Sequence, residues 1–224
     1  MKKTSLTFVL LFVFVLLFVL PLFARSTTED TAPDTAEDGV IFKEPFKKEL
    51  RDGWSWLREA PENWQITDEA LEIKMEPLPG DGARNILYRK PPKKTDGPFV
   101  VTVEIKALQP YTQQFQQAGL YWMQGDELKL KFVMENIDDQ LYVFPGKKLL
   151  KAEHVVLRWR IDGSQLVAEY QPDATGEFLK AFEEQLPDRN DAQDRISIQC
   201  WHGPADAEAW IRFRKFSITK PESK

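Results

Sequence analysis

The sequence predicts an all-β fold, an antiparallel β-sandwich, and three observations carry that prediction. Apolar and polar residues alternate with period two in run after run from Val40 onward. Gly, Pro or Asp separates the runs at the spacing that short antiparallel strands require. Helical patterns are too short to build the crossovers of a parallel sheet.

The first 24 residues stand apart from this pattern. Lys2 and Lys3 make a basic start, Phe8 to Leu20 contains no polar side chain, Pro21 stops a helix, and Ala24 is a small residue suited to cleavage. That layout is a secretory signal peptide, and it predicts a secreted or periplasmic protein. Left uncleaved, the segment would instead tether the chain to a membrane. Residues 25–39 read as a flexible acidic linker. Their "RSTTEDTAPDTAED" has five acids, one arginine and no large apolar side chain, so burial cannot offset the entropy of ordering it. The folded domain is expected over residues 40–220.

Within that domain "EALEIKMEP" alternates Leu71, Ile73 and Met75 against Glu72, Lys74 and Glu76. "GPFVVTVEIKAL" sets Phe99, Val101, Val103 and Ile105 on one face, and "HVVLRWRIDG" does the same with Val155, Leu157, Trp159 and Ile161 before a turn at Asp162-Gly163. "FLKAFEEQL" (178–186) reads as a short helix, and "KKELRDGWSWLREA" as another helical turn. Two stacked sheets need one bulky apolar face per strand. Ala118, Leu120 and Trp122 are therefore expected to point inward with Leu128, Leu130 and Phe132, and with Ile196, Ile198 and Cys200. The opposite faces then collect Gln117, Gly119 and Tyr121, together with Lys129, Lys131 and Glu135, and with Gln199 and Trp201. Amides mixed with exposed aromatics on one face suit a ligand better than water alone.

The order of segments carries a resemblance. "WSWLREAPENWQITDEALEI", "ARNILYRKPP", "FQQAGLYW", "LKLKF", "VVLRWRIDGSQLVAEYQPD" and "AWIRFRKFSI" follow one another as in the concanavalin A-like lectin/glucanase superfamily. More narrowly, the chain resembles uncharacterised secreted jelly-roll domains of that superfamily and the C-terminal accessory β-sandwich of family-43 β-xylosidases. The resemblance spans Phe42 to Ile218. It implies a jelly roll of two curved sheets that binds or cleaves saccharides on its concave face. A fold of this kind implies no single activity, so function rests on the site.

Composition and motifs exclude several chemistries. A net charge of −5 does not suggest a nucleic-acid binder, which would want a basic face. Cys200 is the only cysteine, so neither an internal disulfide nor a cysteine zinc site can form. Glycosidases need two carboxylates at a set separation. Here "GDEL" (125–128) and "ENIDDQ" (135–140) sit at turns, while Glu104 and Glu135 stand alone on strands, and the Glu-x-Asp-x-x-Glu run of family-16 glucanases is absent. In "CWHG", Cys200 shares its face with Ile196 and Ile198 and reads as a core residue beside His202. No cofactor is expected. Calcium would have to come from loop oxygens in "PGDGARN" (79–85) or "GPADAE" (203–208), which lack ligand-dense spacing.

Carbohydrate binding survives this sorting. Sugars offer apolar C–H faces and a ring of hydroxyls, so their sites pair aromatic platforms with fixed amides, guanidiniums and carboxylates. Tyr121 and Trp201 supply rings; Gln117, Gln199 and Glu135 share their face; Arg58, Arg84 and Asn85 come from segments that reach it. The expectation is a non-catalytic sandwich that binds a poly- or oligosaccharide. The alternatives are a glycoside hydrolase-like enzyme of unfamiliar motif and a membrane-tethered structural or interaction domain.

Overall fold

A computed structural model of the chain describes residues 39–77 and 82–222; the expected signal peptide and nearly all of the linker lie outside the described residues. Fifteen strands follow in order: β1 (Val40–Glu44), β2 (Trp54–Leu57), β3 (Trp64–Thr67), β4 (Ala70–Lys74), β5 (Ile86–Arg89), β6 (Phe99–Ala107), β7 (Gln117–Gln124) and β8 (Glu127–Ile137). They continue as β9 (Gln140–Phe144), β10 (Lys148–Leu149), β11 (His154–Asp162), β12 (Gln165–Pro172), β13 (Leu179–Gln185), β14 (Asp194–Trp201) and β15 (Trp210–Thr219). The strands make two antiparallel sheets. One runs β13-β12-β11-β6-β15-β4-β3, with β1 also on β15, and the other runs β10-β9-β8-β7-β14-β5-β2. β6 lies between β11 and β15, and β14 between β7 and β5, so spatial neighbours are often distant in sequence. That is the wrapping of a jelly roll.

Alternation fills the space between the sheets as the sequence pattern requires. Phe99, Val101, Val103 and Ile105 of β6, with Val155, Leu157, Trp159 and Ile161 of β11, face Ala118, Leu120 and Trp122 of β7 and Ile196, Ile198 and Cys200 of β14. All are buried, and each large apolar side chain contributes about 1.5–3 kcal/mol by leaving water. The tryptophan-rich segment packs across the edge where β2 and β3, the last strands of the two sheets, come together. Trp54 meets Phe216 edge-on at 4.8 Å, Trp56 leans on Trp64 at 4.8 Å, and the Trp54 Nε1–H donates to Glu44 Oε2 at 3.0 Å.

Three local expectations are corrected. "FLKAFEEQL" holds the edge strand β13 and not a helix, because its backbone completes the ladder along β12. A helix of so few residues is unstable alone, and tertiary pairing decides. Likewise "KKELRDGWSWLREA" contains β2, paired with β5 from Trp54 opposite Arg89 to Leu57 opposite Ile86. The third correction is Leu128, expected in the core but 48% exposed. Trp122 opposes Leu130 while the next residue, Met123, opposes Leu128, so β8 carries an extra residue, Lys129, between them. This β-bulge reverses the alternation and turns Leu128 to the outer face.

Candidate functional site

The outer face of the second sheet is built from its three central strands. Gln117, Gly119 and Tyr121 of β7 stand opposite Trp201, Gln199 and Ser197 of β14. On the other flank they stand opposite Glu135, Val133 and Lys131 of β8. Their even-numbered neighbours on β7 enter the core, so these side chains face out.

That face is hollowed into a trough with two adjoining parts. One, about 360 Å³, is walled by Arg58, Met123, Leu128, Lys131, Gln199 and Trp201 above Tyr121. The other, about 460 Å³, lies over Glu135 between Phe115, Phe144, Lys147 and Trp201. Gln117, Lys131 and Trp201 line both parts and form the saddle between them. Gly119 keeps the floor low. A Cβ there would stand 2.2 Å from the Phe132 carbonyl oxygen and 2.7 Å from Val133 Cα, so only glycine permits this approach of β7 to β8.

A fixed polar cluster occupies the saddle. Lys131 Nζ donates to Gln117 Oε1 at 3.1 Å and to the two Glu135 oxygens at 3.1 and 3.0 Å. Gln117 Nε2 donates to Glu135 Oε1 and to the Phe115 carbonyl, each at 3.2 Å, and the Tyr121 hydroxyl donates to Gln117 Oε1 at 3.4 Å. Burial, reinforced by Cys200 and Glu135 nearby, pushes the Tyr121 phenol well above its ordinary range, so it stays a neutral hydroxyl. Gln199 completes the set differently. It is 6% exposed and lines the trough, and its Oε1 has no hydrogen-bond partner among the described residues. A buried amide oxygen in that state gains from any donor a ligand brings.

The expected site residues divide. Arg58, Gln117, Tyr121, Glu135, Gln199 and Trp201 gather around the trough. Arg58 is held there by its Nε–H, which donates to the Ala83 carbonyl at 2.6 Å. Tyr121, expected as an exposed ring, is 3% exposed and forms floor, leaving Trp201 as the accessible platform. Arg84 lies in a small recess beside His202, with Nη1 3.9 Å from Glu76. Asn85 is fully buried and structural: its N–H donates to the Arg58 carbonyl at 3.0 Å, and its Oδ1 accepts the Ala60 N–H at 2.7 Å.

The glutamine cluster also divides. Gln116 is fully buried and accepts the Thr112 and Gln113 N–H groups at 3.0 and 3.1 Å, pinning the loop, while Gln114 Nε2 reaches Asp138 at 3.3 Å. Only Gln117 enters the trough. Sequence reasoning left Met123, Leu128, Phe115 and Phe144 out of the site, and placed Lys131 on the face without assigning it a role. Phe115 and Phe144 arrive from a loop and a flanking strand, which period-two counting on β7, β8 and β14 does not register.

Among the described residues, hydrolysis finds no carboxylate pair in this trough. The described acids lining it are Glu135 and Asp126. They stand at opposite ends of β8, on the order of 25 Å apart at the rise of an extended strand, against roughly 5–9.5 Å for either hydrolytic geometry. Asp126 is moreover bridged to Arg195 at 2.7 Å. Glu104 points outward from the other sheet, where His154 and Lys215 hold it at 3.1 and 2.8 Å. Among the described residues no group of three or more His, Cys, Asp or Glu is placed to hold a metal ion; part of the candidate calcium loop at 79–85 lies outside them. No helix among the described residues is long and apolar enough to cross a membrane.

Two stacked antiparallel sheets with this strand order make the chain a β-sandwich of the concanavalin A-like fold. Solved structures share it at low sequence identity. GH43B of the Bacteroides ovatus xyloglucan PUL is 13% identical, with 80% of this chain and 39% of that one covered and a TM-score of 0.63. GH43 BlXynB from Bacillus licheniformis is 16% identical, with 80% and 39% covered and a TM-score of 0.59. The xylan β-1,4-xylosidase from Bacillus halodurans is 14% identical, with 80% and 39% covered and a TM-score of 0.58. This chain thus spans about two fifths of their length, corresponding to their C-terminal β-sandwich domains. No protein-family model and no curated protein matches the sequence.

Proposed function

We propose that the domain binds a saccharide, without cleaving it, in the trough on the outer face of its seven-stranded sheet. The observation that carries this reading is the union of a half-exposed Trp201 with buried, pre-oriented polar groups that include one unsatisfied acceptor, Gln199 Oε1. An indole takes the apolar face of a sugar ring, and fixed amides, a carboxylate and an ammonium take its hydroxyls. Holding those groups in place beforehand removes part of the ordering cost of binding. The two parts of the trough meet at Trp201, so the ligand is an oligosaccharide with units on both sides of the saddle. The neutral ligand first to be tried is a β-1,4-xylo-oligosaccharide, since one of the proteins that share the fold is a xylan β-1,4-xylosidase.

The separation of Glu135 from Asp126 favours binding over hydrolysis. The N-terminal segment agrees with export to a compartment where such polymers occur. A glycan array probed with the purified protein and with Trp201→Ala tests the reading. Retention of one glycan class by the parent and its loss in the variant, with unchanged melting, supports the proposal. Equal retention by both would put the ligand elsewhere.

A further inference from the structure

We infer that the opposite face of the molecule carries a second, electrostatically distinct site, for an acidic oligosaccharide. A hollow of about 740 Å³ lies on the outer surface of the eight-stranded sheet, over β6, β11 and β15 and under β1. Among the described residues, seven cationic side chains and three acidic ones line it, in a chain whose net charge is −5. One of the acids, Glu44, is turned inward and fully buried, accepting the Phe46 N–H at 2.8 Å and the Trp54 Nε1–H at 3.0 Å. Positive charge gathered in a hollow of an acidic protein concentrates anions there.

Not all of those cations serve the fold. Lys47, Arg158 and Lys215 pair with Glu69, Glu169 and Glu104 at 3.7, 2.7 and 2.8 Å. Arg160, Arg214 and Lys220 have no ion-pair partner among the described residues, and the Arg214 Nε–H is buried without an acceptor. Arg160 and Lys220 stand near each other, since Arg160 and Thr219 both oppose Val100.

The backbone departs from regularity at this same place. Between Arg214, opposite Glu104, and Ser217, opposite Thr102, β15 places two residues, Lys215 and Phe216, where β6 places one, Val103. Strict alternation would drive Lys215 into the core; the bulge instead leaves it 73% exposed beside Arg214 and sends Phe216 inward, fully buried. Lys215 adopts φ 51°, a region that side-chain-bearing residues seldom hold. Strained bulges of this kind re-aim side chains at functional surfaces.

The walls and floor select the ligand. Guanidiniums grip carboxylates and sulfates in paired hydrogen bonds. Thr102, Ser217 and Thr219 on the floor offer hydroxyls to a polyhydroxylated molecule. None of the described lining side chains is aromatic, which argues against stacked bases. A walled hollow also suits a compact chain segment better than a flat bilayer. The ligand is therefore an oligosaccharide bearing carboxylate or sulfate groups.

Isothermal titration of the purified protein with oligogalacturonate, with a sulfated dextran oligomer and with neutral xylohexaose tests this. At least one acidic oligomer is expected to bind more tightly than xylohexaose, and to weaken about tenfold or more as salt rises from about 50 to about 500 mM. Arg160→Gln combined with Lys220→Gln, both exposed positions, is expected to reduce that affinity about tenfold, whereas Trp201→Ala leaves it unchanged. The preferred acidic oligomer tells carboxylate from sulfate recognition. Binding of neither acidic oligomer at low salt, equal binding by the double variant, or retention on phosphatidylglycerol vesicles in place of both oligomers would overturn the inference. Loss of binding in Trp201→Ala as well would move the acidic ligand to the trough and equally refute a second site.

Discussion

Replacing Lys131 by methionine removes the only cation that touches the buried Glu135 carboxylate among the described residues. The Lys131 side chain is 25% exposed and that of Glu135 is 4% exposed, with 3.0 Å between them. Breaking a fully buried pair from one side costs about 3–5 kcal/mol, because the remaining charge is left without compensation. Partial exposure of the lysine lets water recover part of this, so the loss is set at about 2–3 kcal/mol. In a domain of this size that lowers the melting temperature by roughly 5–10 °C. Glu135→Gln alone costs less, since the freed ammonium can turn toward water. Adding it to Lys131→Met restores stability by removing the stranded charge. Urea denaturation of the four forms gives a coupling energy, expected near 2 kcal/mol. The pair Lys180–Glu183, with side chains 56% and 57% exposed, is the internal control and couples by less than about 0.5 kcal/mol. A Lys131–Glu135 coupling as small as the control's would show that the saddle is not the desolvated, pre-oriented cluster described above.

Two other outcomes follow from the same geometry. Gly119→Ala places a methyl group against the Phe132 carbonyl, so β7 and β8 must part, and the fold loses about 2–3 kcal/mol in urea titrations. A variant as stable as the parent would contradict that strand spacing. Glu104 governs part of the acid response. Burial raises its carboxyl, but hydrogen bonds and charge from Lys215 and His154 outweigh it and hold the group below its ordinary 4.5. A depressed carboxyl stabilises the fold fully above the unfolded value and ceases to as pH falls through the folded one. Glu104→Gln should therefore flatten the decline in urea midpoint below about pH 4.5, and a variant whose decline parallels the parent's would refute the assignment.

Much of this fold was legible in the sequence because period-two alternation is a property of single strands. Leu71, Val101, Leu120, Trp159 and Ile198 are core residues that alternation identifies without knowledge of any partner. Leu128 and Lys215 were not legible in this way. Each depends on how many residues the neighbouring strand advances, and a bulge is a property of a pair. That Gln117, Tyr121, Gln199 and Trp201 gather at the trough was legible because they share one face of two adjacent strands. Asn85 misled because its polarity serves a buried turn, where its side-chain oxygen caps a backbone N–H and φ is 50°. Phe115 and Phe144 join the trough only through tertiary folding of a loop and a neighbouring strand. "FLKAFEEQL" became a strand because β12 offered its edge.

The proposed function requires the outer face of the seven-stranded sheet to receive a saccharide across the Trp201 saddle. NMR titration of the purified protein with xylohexaose, and then with the glycan that the array selects, observes that face directly. Saturable shifts of the Gln117 and Gln199 side-chain amides together with the Trp201 indole N–H are expected. Resonances of those three groups that stay fixed while the protein binds the glycan, or no binding of any neutral oligosaccharide, would contradict it.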